Sequence, residues 1–124
     1  LGANLYAQSV AIINCEMVAT AEWTRTNLSQ GALIAVHDIG AQGYFDNRPI
    51  LDTAGLVSPE VIPFIRNEAK LIEWMQSRGA QFAVFFPTWY PKLAADARLH
   101  EIHSTNCEIT KNIGEENLRV YELR

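Results

Sequence analysis

Tyr6, Val10, Ile13, Met17, Ala21, Thr24 and Leu28 step along the chain by three or four residues, the spacing of one helix face. Ile12, Val18 and Trp23 widen that stripe, while Gln8, Glu16, Glu22 and Arg25 are left for solvent. The pattern predicts a long helix over 4–28, ended by Ser29-Gln30-Gly31 with Gly31 as a left-handed cap. Ala32 to Val36 is an unbroken apolar run, as expected of a strand covered on both faces. Tyr44-Phe45 is a brief aromatic pair, Asp46-Asn47 is turn chemistry, and 48–52 reads as a second short strand. The short connection between these two strands predicts a hairpin-like pairing.

Further on, Ser58-Pro59-Glu60 combines a hydroxyl cap, a proline at the first helical position and an acid in the first turn. Pro63 interrupts that start, so the main helix is expected over 67–77, closed by Arg78-Gly79. Residues 81–86 form a strong strand stopped by Pro87, followed by a weaker helix over 88–99. Two last strands are expected near 101–107 and 118–123, joined by a polar turn around Asn112 to Glu115. The imperfect alternation of Leu118, Val120 and Leu123 suggests an edge position for the last one. This order predicts a layered α/β domain over 1–124. Its sheet is mixed and mostly parallel, with a long N-terminal helix and further helices packed on it. Val36 and Phe86 are expected to end neighbouring parallel strands.

The chemistry concentrates in segments 37–45 and 49–56, where two acids and three glycines stand at the ends of two apolar runs. Gly40, Gly43 and Gly55 permit tight turns or close backbone approach to a ligand. The Gly40-x-x-Gly43 pair lacks the third glycine of a dinucleotide loop, and Tyr44-Phe45-Asp46 is no helix start. No cofactor is therefore expected. Asp38 and Asp52 both follow apolar strands and form either a carboxylate pair for acid–base work or two turn acids bound to backbone N–H groups. The second reading is preferred. His37 adjoins Asp38 but points the other way if the strand continues, so no His–Asp dyad is implied.

His100-x-x-His103 has the look of a metal fragment only if it lies on a helix, and no metal is expected. Trp89-Tyr90, just beyond a strand end, either caps the core or forms a sugar- or partner-binding platform.

Composition narrows the field. An apolar fraction of 48% with 19% charged residues in a chain of 124 suits one globular domain. The net charge of −4 and scattered basic residues exclude a nucleic-acid footprint. Cys15 and Cys107 lack CxxC spacing. Two buried free thiols are the first reading and one disulfide the second, while zinc would need His100 and His103 brought in by the fold. No apolar run approaches the roughly 20 residues that span a bilayer. The start Leu1-Gly2-Ala3, without an initiator Met, reads as a fragment of a longer chain.

Three phrases act together: 36–45 (VHDIGAQGYF), 50–60 (ILDTAGLVSPE) and 85–90 (FFPTWY). As a set they resemble the C-terminal soluble portion of bacterial polytopic membrane proteins related to lipid-linked-sugar glycosyltransferases, of the protein mannosyltransferase type. The similarity covers roughly residues 10 to 90 and is weakest in the last thirty. It implies an extracytoplasmic domain, anchored through the transmembrane portion of the same polypeptide, with glycan or lipid-linked sugar nearby. In such enzymes the catalytic acid lies in the membrane portion, so no catalytic residue carries over to this chain. The implied setting favours a Cys15–Cys107 disulfide.

The expected function is thus a non-catalytic accessory domain that positions an acceptor or glycan. Its rim would comprise Asp38, Gly40, Gly43, Tyr44, Asp52, Gly55, Trp89 and Tyr90. The alternative is a small self-contained enzyme or ligand-binding domain using Asp38 and Asp52. A third option, an oligomerisation module, would require the first helix to leave a large apolar face uncovered.

Overall fold

A computed structural model describes residues 10–37, 46, 48–53, 67–114 and 116–124, and every structural statement below concerns these. Five strands form one mixed sheet: β1 (Ile34–Val36), β2 (Ile50–Asp52), β3 (Phe82–Phe85), β4 (Leu99–Ser104) and β5 (Arg119–Leu123). Their order across the sheet is β2-β1-β3-β5-β4. β1 pairs in parallel with both β2 and β3, whereas β5 is antiparallel to β3 and to β4.

Two expectations are corrected here. The β1–β2 pair is parallel, not hairpin-like, with Ala35 opposite Leu51; residues 37–49 suffice for a crossover, which needs about a dozen. And β5 lies inside the sheet, so β4 is the edge strand. Leu118 and Val120 face one side of the sheet and Tyr121 and Leu123 the other, so β5 alternates regularly and is apolar on both faces, as an interior strand is.

Strand parity sorts the core into two layers. Ala35, Leu51, Ala83, Phe85 and Tyr121 face one side, where Leu71, Ile72, Trp74 and Met75 of α2 (Glu68–Ser77) and Leu93 of α3 (Pro91–Ala94) cover them. Ile34, Val36, Val84, Phe86 and Val120 face the other side, against Met17, Trp23 and Leu28 of the N-terminal segment. α2 begins and ends on local signals. The Asn67 side chain accepts from the Lys70 N–H at 3.1 Å, and Gly79 takes φ +80° just beyond the last turn. The expected helix over 88–99 shrinks to α3. A short helix that the residue pattern did not announce, α4 (Glu108–Asn112), precedes the turn at Gly114.

The expected long first helix is not one regular α-helix. Residues 10–12 are α-helical, Ile13–Val18 form a π-helix, and α1 runs over Ala19–Asn27; residues 4–9 lie outside the described set. A π segment closes its hydrogen bonds i→i+5, which rotates its side chains off the 3.6-residue stripe. Glu16, expected in solvent, is instead 0% exposed. Its carboxylate accepts from the Leu118 N–H at 3.0 Å, from Asn117 Nδ2 at 2.9 Å and from the Thr105 hydroxyl. Three donors around one acceptor-only group satisfy a buried charge. Beside it, Cys15 and Cys107 form a disulfide with a Cα–Cα separation of 6.0 Å, which corrects the expectation of two free thiols.

α1 does not end on Gly31, which has no positive φ; the chain leaves the helix through an extended Leu28. The Arg48 guanidinium caps the exposed carbonyls instead, donating to Ser29 O at 2.6 Å, Thr24 O at 2.8 Å and Leu28 O at 3.3 Å. Asp46 neutralises it at 2.6 Å and accepts from the Thr24 hydroxyl at 2.6 Å. The helix start expected at Ser58-Pro59-Glu60 and the pair Tyr44-Phe45 lie outside the described residues. Among the described residues, no helix is long and apolar enough to cross a membrane.

Candidate functional site

The order β2-β1-β3 places the first strand between the second and third, so the chain visits one side of β1 and then the other. In open α/β sheets, ligands bind beyond the carboxyl ends of the strands at such a switch point. The residues that leave β1, β2 and β3 at that end are His37, Thr53 and the turn from Phe86 to Tyr90. Thr53 N donates to Val36 O at 2.8 Å and extends the β1–β2 ladder past its last pair. Trp89 N donates to Phe86 O at 3.0 Å, and this turn delivers two consecutive aromatics to the sheet edge. Pro91 then opens α3 at its first position, which fixes Tyr90 at the helix entry.

His37 has the parity of Ala35 and therefore faces the α2–α3 side. There its Nδ1 lies 2.6 Å from the Tyr90 hydroxyl. The Thr53 side chain also hydrogen-bonds Tyr90. A phenol oxygen can both donate and accept, so Tyr90 links His37 and Thr53 across the strand ends.

Burial pushes the Tyr90 phenol above its ordinary value. The Thr53 bond works the other way, and the carboxylates of Glu68 and Asp52 add to the upward shift. The phenol thus stays protonated and remains a donor. Glu68 ties the two covering helices together at this end, its Oε1 accepting from the Leu93 N–H of α3 at 3.1 Å.

Only part of this cluster meets solvent. Tyr90, Thr53 and Asp52 are buried, whereas Trp89 is 51% exposed and His37 partly so. The Trp89 ring meets His37 edge-on at 5.0 Å and packs on Phe86 at 4.9 Å. The result is an open aromatic face beside a half-buried imidazole that Tyr90 holds through Nδ1.

Of the residues expected in the rim, the structure brings Trp89 and Tyr90 together with His37. Asp52 lies next to this cluster but is 0% exposed, opposite Val36 in the sheet, so it does not line an open acid–base cleft. Asp38, Gly40, Gly43, Tyr44 and Gly55 lie outside the described residues. His37 and Thr53 were missed as functional residues. Strand parity carried the signal for His37, because it aligns with Ala35 and away from Asp38.

His100 and His103 do not converge. His100 is exposed on the edge strand, and His103 stacks on Trp23 at 4.3 Å, where burial lowers its pKa. Among the described residues, no three His, Cys, Asp or Glu side chains are grouped as a metal ion would need.

A search of the curated proteins returns no match. A protein-family model described as "Domain of unknown function (DUF8728)" matches residues 3–121, nearly the whole chain. The chain belongs to the DUF8728 family.

Proposed function

We propose that this domain is a non-catalytic, glycan-binding accessory module of a membrane glycosyltransferase-like protein, carried on the extracytoplasmic side. The observation that carries the binding role is the pairing of an exposed Trp89 face with His37 at the switch point of the sheet. A pyranose offers an apolar C–H face and a ring of hydroxyls. The first stacks on an indole, and the second matches the hydrogen-bonding edge of an imidazole. Carbohydrate thus suits both halves of the rim, and neither half asks for a charge on the ligand.

The non-catalytic reading is supported by burial: Asp52 is 0% exposed, and the buried Tyr90 phenol is held protonated by its raised pKa. The extracytoplasmic placement is supported by the Cys15–Cys107 disulfide, since such bonds persist in oxidising compartments. The resemblance of the 36–45, 50–60 and 85–90 phrases to membrane glycosyltransferases supplies the parent class.

The experiment is to offer the chain sugar nucleotides, glycosides and esters while monitoring turnover and binding separately. Saturable saccharide binding without turnover is the expected result. Turnover by the chain alone would overturn the accessory role.

A further inference from the structure

A cavity of about 250 Å³ is lined by Ile12, Met17, Phe86, Trp89, Thr110 and Ile113, toward the face of the sheet that carries Val36 and Phe86. This volume falls between the ~150 Å³ of a cavity that takes up benzene and the ~300 Å³ at which ordinary ligand pockets begin. Among the described residues, its lining side chains carry no charge, and their only nitrogen or oxygen atoms are the Trp89 indole nitrogen and the Thr110 hydroxyl. Thr110 is 2% exposed, and its Oγ1 has no hydrogen-bond partner. A buried hydroxyl without a partner is a standing cost to stability, and native structures seldom leave one without a reason. Threonine in a helix divides between two χ1 rotamers, which exchange Oγ1 with Cγ2. Thr110 gives up no bond by making that turn, so its hydroxyl is free to meet whatever fills the cavity. Water is a poor occupant, because it needs two to four polar partners.

We infer that this cavity binds a small, uncharged, largely apolar molecule, about the size of an aromatic ring with a short substituent, that presents one oxygen to Thr110. The apolar body packs on Ile12, Met17, Phe86 and Ile113, with Trp89 as one wall. Oγ1 supplies the one directional contact. This site shares the Trp89 ring with the glycan rim but needs neither His37 nor Tyr90.

The test uses two near-isosteric probes, benzyl alcohol and ethylbenzene, titrated into the chain while the methyl signals of Ile12, Met17 and Ile113 are followed by NMR. Saturable shifts confined to these residues and the Trp89 indole are expected with both probes. In Thr110→Val the affinity for benzyl alcohol relative to ethylbenzene should fall about fivefold, the worth of one hydrogen bond, while Thr110→Ser keeps the wild-type ratio. The Val variant also removes an unsatisfied hydroxyl, so its free form should melt no lower than wild type. Absence of saturable shifts at these residues, or a ratio unchanged in Thr110→Val, would overturn the assignment.

Discussion

His37 and Tyr90, 53 residues apart, share a 2.6 Å hydrogen bond across the carboxyl end of the parallel strands. The bond couples the end of β1 to the turn after β3. Tyr90→Phe keeps the ring against Phe85, whose centroid is 5.7 Å away, and removes only the hydroxyl. Its expected cost is about 1 kcal/mol of stability, typical of one hydrogen bond. More telling is the imidazole, whose ¹⁵N shifts should move once Nδ1 loses its Tyr90 partner.

Glu16 makes a second long-range connection. Replacing it with Ala leaves the Leu118 N–H, Asn117 Nδ2 and the Thr105 hydroxyl without their shared acceptor. We expect a loss of about 3 kcal/mol in chemical denaturation, the scale of several buried donors left unpaired. Glu16→Gln should cost less. Its one oxygen can serve Thr105 and Leu118, but its amide nitrogen then meets the donor end of Asn117. An unchanged denaturation midpoint in Glu16→Ala would remove the network from the account.

The disulfide pins the same two segments, closing a sequence separation of 92. In the chain-entropy description, replacing both cysteines by Ala should cost about 4.6 kcal/mol. Glu16 and Cys15 are neighbours on one anchor, so combining Glu16→Ala with the cysteine-free variant should give less than the sum. Strict additivity would show that the two attachments act separately.

Alkaline stability has a defined sign. Burial pushes the Tyr121 phenol to about 12, and Tyr90 is raised as well. Unfolded tyrosine ionises near ~10. The folded state therefore holds these protons more tightly, and its stability falls as pH rises from the unfolded value through the folded one. Urea midpoints should decline above roughly pH 10, and Tyr121→Phe should flatten the decline. A midpoint that stays level in wild type would contradict the burial argument.

The parts of the fold legible in the sequence were those written in local code. Asn67, Arg78 and Gly79 marked the bounds of α2 because a cap and a left-handed turn depend on a few adjacent residues. The Ala32–Val36 run announced β1 because both its faces are covered. Glu16 was misread because its partners lie 89 to 102 residues away and a π-helix alters its phase. The parallel sense of β1 and β2 was likewise hidden, since a connection of intermediate length fits more than one topology. Trp89 and Tyr90 stood out as aromatics after a strand. Their partner His37 did not, because the contact crosses from one strand end to another.

The central claim is that the exposed Trp89 face and His37 form one carbohydrate-binding rim. NMR titration of the chain with a panel of neutral mono- and oligosaccharides, observing the Trp89 indole and His37 ring signals, tests it most directly. The account predicts saturable shifts of both signals with a common midpoint, lost in Trp89→Ala while the rest of the spectrum stays folded. Saccharides that leave both signals unmoved, or binding that survives Trp89→Ala undiminished, would contradict it.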